Sequence, residues 1–238
     1  SSFVLFPILV MAVYPFINSE SNYTIWLGFM FLAALPSTVS SSVVMVSMAK
    51  GNIPAAIFNA SISGLIGIVV TPLWMSLFLQ QTTTDFDLGS IYLKLITEIL
   101  VPVIIGIALQ RYLGRYVKKH SRFLTLFDKS IILLIIYKSF AESFEEHVFS
   151  SVNIKDLGLI LLAVLVLFSV VFIIIKQLAT ILKFNLEDRI TAQFCGTKKS
   201  LVHGTVFSKI LFSNTVSVGV ILLPLMLFHF IQIFIISI

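Results

Sequence analysis

Long apolar segments separated by short polar ones dominate this chain, and the pattern predicts membrane-spanning helices. A helix needs about 20 mostly apolar residues to cross a bilayer, whereas the strands of a membrane barrel would alternate apolar and polar side chains. Eight segments fit the helical pattern. The predicted spans are 3–17, 24–49, 54–79, 91–109, 123–141, 157–175, 190–213 and 215–238.

The polar segments between the spans alternate in charge. Nine Lys or Arg residues lie in every second loop, and one, Lys155, lies in the others, which hold seven acids. Because cytoplasmic loops carry excess Lys and Arg, this alternation supports all eight spans and predicts that both ends of the chain are cytoplasmic. The basic residues are Lys50, Arg111, Arg115, Lys118, Lys119, Arg122, Lys176, Lys183 and Arg189. The acids are Glu20, Asp85, Asp87, Glu142, Glu145, Glu146 and Asp156.

Composition limits the functional classes. Hydrophobic residues make up 58% of the chain and charged residues 11%, against about a quarter charged in an ordinary soluble domain, which indicates an integral membrane protein. The net charge of +5 follows from the basic loops and does not indicate nucleic-acid binding. A single cysteine, Cys195, excludes an intrachain disulfide framework and offers no metal cluster. No catalytic triad, phosphate loop or signal peptide is recognisable, so we expect no enzyme. The apolar first and last residues indicate that both ends are truncated.

Two spans are interrupted, and they occupy matching positions. The first three spans have the order plain, broken, plain, and so do the last three, but the two triplets start from opposite sides of the membrane. Inverted repeats with broken helices in matching positions are typical of secondary transporters. We therefore expect the breaks, near residues 38 and 198, to cross near the membrane midplane.

The first break combines a proline with hydroxyl side chains. Pro36 removes a backbone donor and disfavours helix at Leu35. The free ends of half-helices offer carbonyl groups and partial charges to ions. The hydroxyls either bind an ion or a polar solute group there, or satisfy the backbone beside a proline kink. They belong to Ser37, Thr38, Ser40, Ser41 and Ser42, of which the last three are predicted binding residues.

The second break contains two adjacent lysines in an apolar span. An ionisable residue inside a membrane span is by default a hypothesis of function. The alternative is that the lysines extend to the membrane surface, which is difficult for both because about eight residues, roughly 12 Å of helix, separate Lys198 from Arg189. Glycine permits unusual backbone angles, and Thr and Ser can cap helices. The predicted binding residues are Gly196, Thr197, Lys198, Lys199 and Ser200.

Other spans contribute isolated polar residues. Asn59 and Ser63 lie one turn apart and are predicted to reach the crossing, although a hydrogen bond between helices explains Asn59 equally well. His229 and Gln232 share one helix face. Together with His203, which follows the lysines, they are candidates for a proton relay, the alternative being a buried histidine with an ordinary hydrogen bond.

Two stretches carry a resemblance to a known family. They are "LPSTVSSSVVMVSMAKGNIPAAIFNASISGLIGIVVTPL" and "FCGTKKSLVHG", with a late "FHFIQ". They resemble the bile acid:sodium symporter superfamily, in its branch with bacterial symporter-like proteins and the orphan seventh member of human solute carrier family ten. The resemblance implies an all-α fold of ten helices in two inverted five-helix repeats, with helices four and nine broken and crossing. Residues 1–238 then form one transmembrane domain with about eight of the ten helices. Residues 1–79 match the last three helices of the first repeat, and 90–238 match the second.

The second break departs from the family pattern. Sodium-coupled members carry an acidic residue, Gly, any residue, Gln and Asn, whereas this chain has Phe194 or Cys195 at the acidic position and lysines where the amides would be. The family's sodium ligands therefore do not carry over to this motif. No cofactor is expected, and sodium and the proton are the two candidate coupling ions.

These features predict a secondary active transporter of a small anionic organic solute, working by alternating access at the crossed breaks. A lysine would bind the anionic group or exchange a proton during transport, by symport or antiport. The alternative is a non-transporting membrane regulator of ion homeostasis or partner channels. The expected partners are the solute, the coupling ion and membrane lipid, and the expected location is a bacterial inner membrane.

Overall fold

The computed structural model describes residues 2–16, 20–38, 40–79, 88–145, 154–212 and 218–236. The regular elements in these ranges are helical. They are α1 (Leu5–Met11), α2 (Glu20–Ala34), α3 (Ser40–Met48), α4 (Ile53–Leu79), α5 (Leu88–Leu95), α6 (Val101–Lys119), α7 (Ser121–Glu145), α8 (Ile154–Ile181), α9 (Leu186–Thr197), α10 (Leu201–Leu211) and α11 (Val218–Ile236), with a 3₁₀ turn at Tyr14–Phe16 and a π-helical segment, Ile96–Leu100, joining α5 to α6.

Both predicted helix breaks are present. The first separates α2 from α3 at Pro36, as the missing backbone donor of proline predicts. The second separates α9 from α10 at residues 198–200. Gly196, one of the predicted binding residues, lies inside α9, which continues to Thr197, and it has no positive φ. The chain instead leaves the helix at Lys198, whose backbone is extended (φ −86°, ψ 144°).

Several helices extend beyond the predicted spans into the supposed loops. The span predicted at 91–109 belongs to a continuous apolar helix over Gly89–Lys119, and α7 begins only two residues later, at Ser121. Most of the basic residues assigned to the loop here are therefore helical. Lys and Arg are good helix formers and are favoured in a last helical turn, where they oppose the helix dipole, so charge alone did not mark the helix end.

Contacts between connections agree with the predicted alternation of sides. Asn52, at the α3–α4 turn, donates from Nδ2 to Asp188 Oδ1 near the start of α9 (2.9 Å). At the other end, Tyr23 near the start of α2 donates to the carbonyl of Phe78 near the end of α4 (3.1 Å). Each contact joins two connections predicted to share a side of the membrane.

The core lies around the second helix and the last. The helix α11 packs against α2, α8 and α10, and α9 packs against α3, α4 and α8. By contrast, α6 contributes no buried residue among those the structure describes. By length and composition, three helices in the described ranges could cross a membrane, Ile53–Leu79, Gly89–Lys119 and Lys155–Ile181, and two shorter apolar helices accompany them.

Candidate functional site

The two helix breaks touch each other directly. The backbone N–H of Ser200 donates to the carbonyl of Pro36 (3.0 Å), and the Ser37 hydroxyl donates to the carbonyl of Cys195 in the last turn of α9 (2.9 Å). Each break therefore provides a donor for a carbonyl that the other break leaves without a partner in its own helix. We call residues 35–38 and 198–200 the crossing.

The end of α2 is capped mainly by Lys199. Its ammonium donates to the carbonyls of Ala33 (2.6 Å), Leu35 (2.8 Å) and Ser2 (2.8 Å). It also lies 4.2 Å from the centre of the Phe6 ring, a distance typical of a cation–π contact. Because an ammonium has three N–H donors and no acceptor, this environment uses all of its hydrogen-bonding capacity. The side chain is 0% exposed.

Lys198 has a different environment, although it is the next residue. Its backbone is extended, and successive side chains of an extended segment point to opposite sides. Its ammonium contacts the Met45 sulfur of α3 (2.6 Å), a weak acceptor, and the side chain is also 0% exposed. Within the part of the chain that the structure describes, neither lysine is paired with a carboxylate.

Unpartnered polar atoms lie on α3 and α11, the two helices that approach Lys198 and Lys199. Ser41 and Ser42 lie one turn before Met45, and His229 of α11 is close enough to Lys198 for electrostatic interaction. One turn further along α11, Gln232 accepts from the backbone N–H of Lys199 through Oε1 (3.2 Å). In the described ranges, four buried side-chain atoms have no hydrogen-bond partner: Ser41 Oγ, Ser42 Oγ, His229 Nδ1 and Gln232 Nε2. We call Ser41, Ser42, Lys198, His229 and Gln232 the polar cluster.

Such a concentration of unused polar atoms is costly unless something binds there. Buried polar atoms nearly always have hydrogen-bond partners, and each exception calls for an explanation. A buried ammonium with only a thioether for a partner is costly for the same reason. The polar cluster is therefore a candidate ligand site, and its ammonium, hydroxyl and amide groups are hydrogen-bond donors.

A cavity of about 470 Å³ runs along α9 towards the crossing. It lies between α4, α8 and α9, and its walls extend from Asp188 at the start of α9 to Cys195 and Gly196 at the end. Asn59 is exposed to it and interacts with the Cys195 side chain. Ser63 lies at its inner end, where its hydroxyl accepts the Ser37 backbone N–H (3.0 Å). Of these two α4 residues, Ser63 contacts the crossing, whereas Asn59 interacts with Cys195 in the last turn of α9.

Two of the other predicted site residues bond to backbone groups through their side chains. Thr197 Oγ1 donates to the carbonyl of Gln193 (2.7 Å), and Ser200 caps α10 by accepting the backbone N–H of His203 (3.3 Å). The His203 ring contacts the Ser200 hydroxyl (2.9 Å) and approaches α4 at Gly64. Ser40 is described as the first residue of α3, and its side chain lies outside the described part of the chain.

Comparison with known proteins identifies the family. The model of the SBF-like CPA transporter family matches residues 1–238. The chain belongs to that family. A protein of Pseudomonas aeruginosa is 38% identical over 97% of this chain and 69% of its own length. "Putative symporter YfeH" of Escherichia coli is 35% identical over 98% of this chain and 69% of its own length. "Sodium/bile acid cotransporter 7" of Xenopus tropicalis is 30% identical over 86% of this chain, which covers 60% of that relative.

Membership in the SBF-like CPA transporter family confirms the resemblance and the class of membrane transporter. Family membership does not assign roles to individual residues, so these are argued from the geometry of the site. Among the residues that the structure describes, no group of three or more His, Cys, Asp or Glu could hold a metal ion. The polar atoms at the crossing are instead hydroxyls, an amide, a histidine ring and two ammonium groups.

Sequence reasoning missed the residues that hold the crossing together. Ser37 was grouped with the other hydroxyls, but it is the one that donates to α9. Thr71, inside α4, donates to the carbonyl of Ala34 (2.8 Å). Its signal in the sequence is weak, because a threonine in an apolar helix usually bonds to its own helix. Phe6 and Met45, which contact the two ammonium groups, have no distinguishing signal among the many apolar residues.

Proposed function

We propose that this protein is a secondary active transporter that carries a small anionic organic solute, coupled to sodium or the proton. The observation that carries the proposal is the polar cluster: a buried ammonium and several unpartnered polar atoms beside two helix breaks in contact. Transporters commonly bind their substrates where broken helices meet inside the membrane. Two relatives are named as a symporter and a sodium/bile acid cotransporter, which supports a secondary transporter.

The anionic character of the solute follows from the charges at the crossing. Both lysines are buried without a carboxylate partner. The three carbonyls around Lys199 already occupy its hydrogen-bonding capacity, which leaves Lys198 as the cation available to the solute. A carboxylate or sulfonate would accept from Lys198, Ser41, Ser42 and Gln232, and in a site of low dielectric such charge-assisted hydrogen bonds are strong.

Alternating access requires the site to face one side of the membrane at a time. In this structure the cavity along α9 reaches Gly196 and Ser63, while Lys198 is fully buried. We infer an occluded polar cluster with a vestibule leading towards it from one side, which the basic residues predict to be the cytoplasm. The proposed architecture is two inverted repeats, of which 1–79 and 90–238 are parts, in a bacterial inner membrane.

Uptake by reconstituted protein tests the proposal. The complete protein in liposomes would be given labelled organic anions, bile acids among them, with an inward gradient of either sodium or protons. We expect concentrative uptake of at least one anion under one of the gradients. Lys198→Met, which keeps an unbranched side chain without the charge, should reduce that uptake at least tenfold.

A lysine on α10, the helix that follows the second break, provides the matched control. Lys209 lies in the last turn of α10 and is exposed, so Lys209→Met should transport normally. Equal uptake by Lys198→Met and wild type would show that the anion binds elsewhere. If the wild type moves no anion under either gradient, the transporter proposal fails and a regulatory role becomes the better explanation.

A further inference from the structure

The carbonyl groups at the end of α2 converge on one point inside the protein. Pro36 ends the helix, and the carbonyls of Ala33 and Leu35 both lie within 2.8 Å of the Lys199 ammonium. The carbonyl of Ser2 approaches the same atom from another segment (2.8 Å), and the Phe6 ring covers it at 4.2 Å.

The neighbouring carbonyls of this segment have other partners. Leu35 N–H donates to the carbonyl of Leu32 (3.3 Å), Thr71 to that of Ala34 (2.8 Å), and Ser200 N–H to that of Pro36 (3.0 Å). Only the carbonyls of Ala33 and Leu35, among residues 32–36, depend on the lysine. Since buried carbonyls without a partner are costly, the shape of the first break depends on a cation at this point.

A group of backbone carbonyls at the negative end of a helix is also how membrane proteins hold free monovalent cations. Carbonyl oxygens replace the hydration shell of the ion, and nothing in the arrangement is specific to an ammonium. The side chain of Lys199 reaches into this position from the second break and places its terminal nitrogen among the carbonyls.

We propose that Lys199 is a tethered cation occupying a carbonyl site that would otherwise take a free monovalent cation. The first break then keeps its shape without sodium, and the coupling ion acts elsewhere. That last consequence rests on the transport function proposed above, whereas the occupancy of the carbonyl site does not. The proposal predicts that removing the side chain creates a cation site that the wild type lacks.

Cation-dependent stability of Lys199→Ala in the complete protein tests this. Thermal unfolding in detergent would be followed with choline, sodium, potassium, ammonium or methylammonium chloride at one ionic strength. In choline we expect Lys199→Ala to unfold at least 5 °C below wild type. Ammonium, methylammonium or sodium should restore at least half of that loss saturably, while the unfolding temperature of wild type changes by less than 2 °C.

Two further variants make the outcome decisive. Lys198→Ala removes the adjacent charge without emptying the carbonyl site, so it should not gain a saturable response to these cations. Lys199→Met keeps the length of the side chain without its charge. A wild-type unfolding temperature for Lys199→Met would overturn the proposal even if Lys199→Ala failed to fold, because the carbonyls would then need no cation. A loss of stability in Lys199→Ala that no cation restores would also overturn it.

The result is independent of the transport assay. If Lys199→Ala shows no cation response, the tethered-cation proposal fails and the uptake prediction for Lys198 is unaffected. If the wild type takes up no anion but Lys199→Ala shows a saturable cation response, the transport proposal fails and the tethered-cation proposal stands.

Discussion

The two helix breaks differ in the hydrogen-bonding groups that they present, the first acceptors and the second donors. The first ends α2 with a proline and presents carbonyl groups, which accept hydrogen bonds from Lys199 and from the Ser200 N–H. The second break contains no proline and presents hydrogen-bond donors. The carbonyl of Cys195, just before it, accepts a hydrogen bond from the Ser37 hydroxyl of the first break. The breaks are therefore complementary, and each holds the other in its non-helical shape.

Under the proposed function, the same difference separates a lysine that stabilises the first break from one that binds the solute. Lys199 completes the first break, whereas Lys198 has a single weak acceptor and lies beside unpartnered polar atoms. A crossing built only from hydroxyls and carbonyls would attract cations. Among the described residues no carboxylate is paired with either ammonium group of this crossing, and the proposed anionic solute rests on that arrangement of charge.

The first break packs closely against α4. A Cβ atom on Gly67 would lie 2.9 Å, 3.0 Å and 3.1 Å from three atoms of the Pro36 ring, which is rigid and cannot rotate away. We expect Gly67→Ala to lower the free energy of unfolding by about 2 kcal/mol, as overpacking of a core does. Equilibrium unfolding of the complete protein in mixed micelles would measure this change.

Gly64, one turn earlier on the same helix, provides the matched control. A Cβ atom there would lie 3.5 Å from the His203 ring, which is ordinary contact, and alanine is the better helix former. Gly64→Ala should therefore be neutral or slightly stabilising. Similar losses in both variants would mean that the α4 glycines matter for helix packing in general and that Pro36 has no special role.

Much of this arrangement could be predicted from the sequence because its causes are local. A proline inside an apolar span ends a helix wherever the span lies, and two lysines in such a span are too costly to be incidental. The spacing of His229 and Gln232 placed them on one face of α11, and in the structure Gln232 accepts a hydrogen bond from the backbone N–H of Lys199. Helix ends were less predictable, because basic residues continue a helix as readily as they end it.

The roles of the two lysines could not be assigned from the sequence. They are neighbours of one residue type, and their environments differ because the backbone is extended at Lys198, a consequence of how α9 meets the first break. The acceptors of Lys199 are backbone carbonyls, which every residue has and no motif marks. The participation of Ser37 and Thr71 likewise depends on tertiary contacts across 158 and 37 residues.

The smallest expected effect concerns the hydroxyls of the first break. Ser37 donates to the buried carbonyl of Cys195, so Ser37→Ala should cost about 1.5 kcal/mol of unfolding free energy, the usual price of leaving a buried acceptor unpaired. Ser42 is as deeply buried, but its hydroxyl has no partner. Ser42→Ala should therefore leave stability unchanged or slightly raised, since an unsatisfied polar atom is removed.

Uptake should separate the same two serines in the opposite direction. If Ser42 binds the solute, Ser42→Ala reduces uptake although the protein is as stable as wild type, whereas Ser37→Ala reduces it only as far as the folded fraction falls. Measuring both properties in both variants distinguishes a hydroxyl that holds the crossing from one that serves the solute. Loss of stability in Ser42→Ala would place Ser42 with the structural hydroxyls. Unchanged uptake by that variant would show that the solute does not bind the Ser42 hydroxyl.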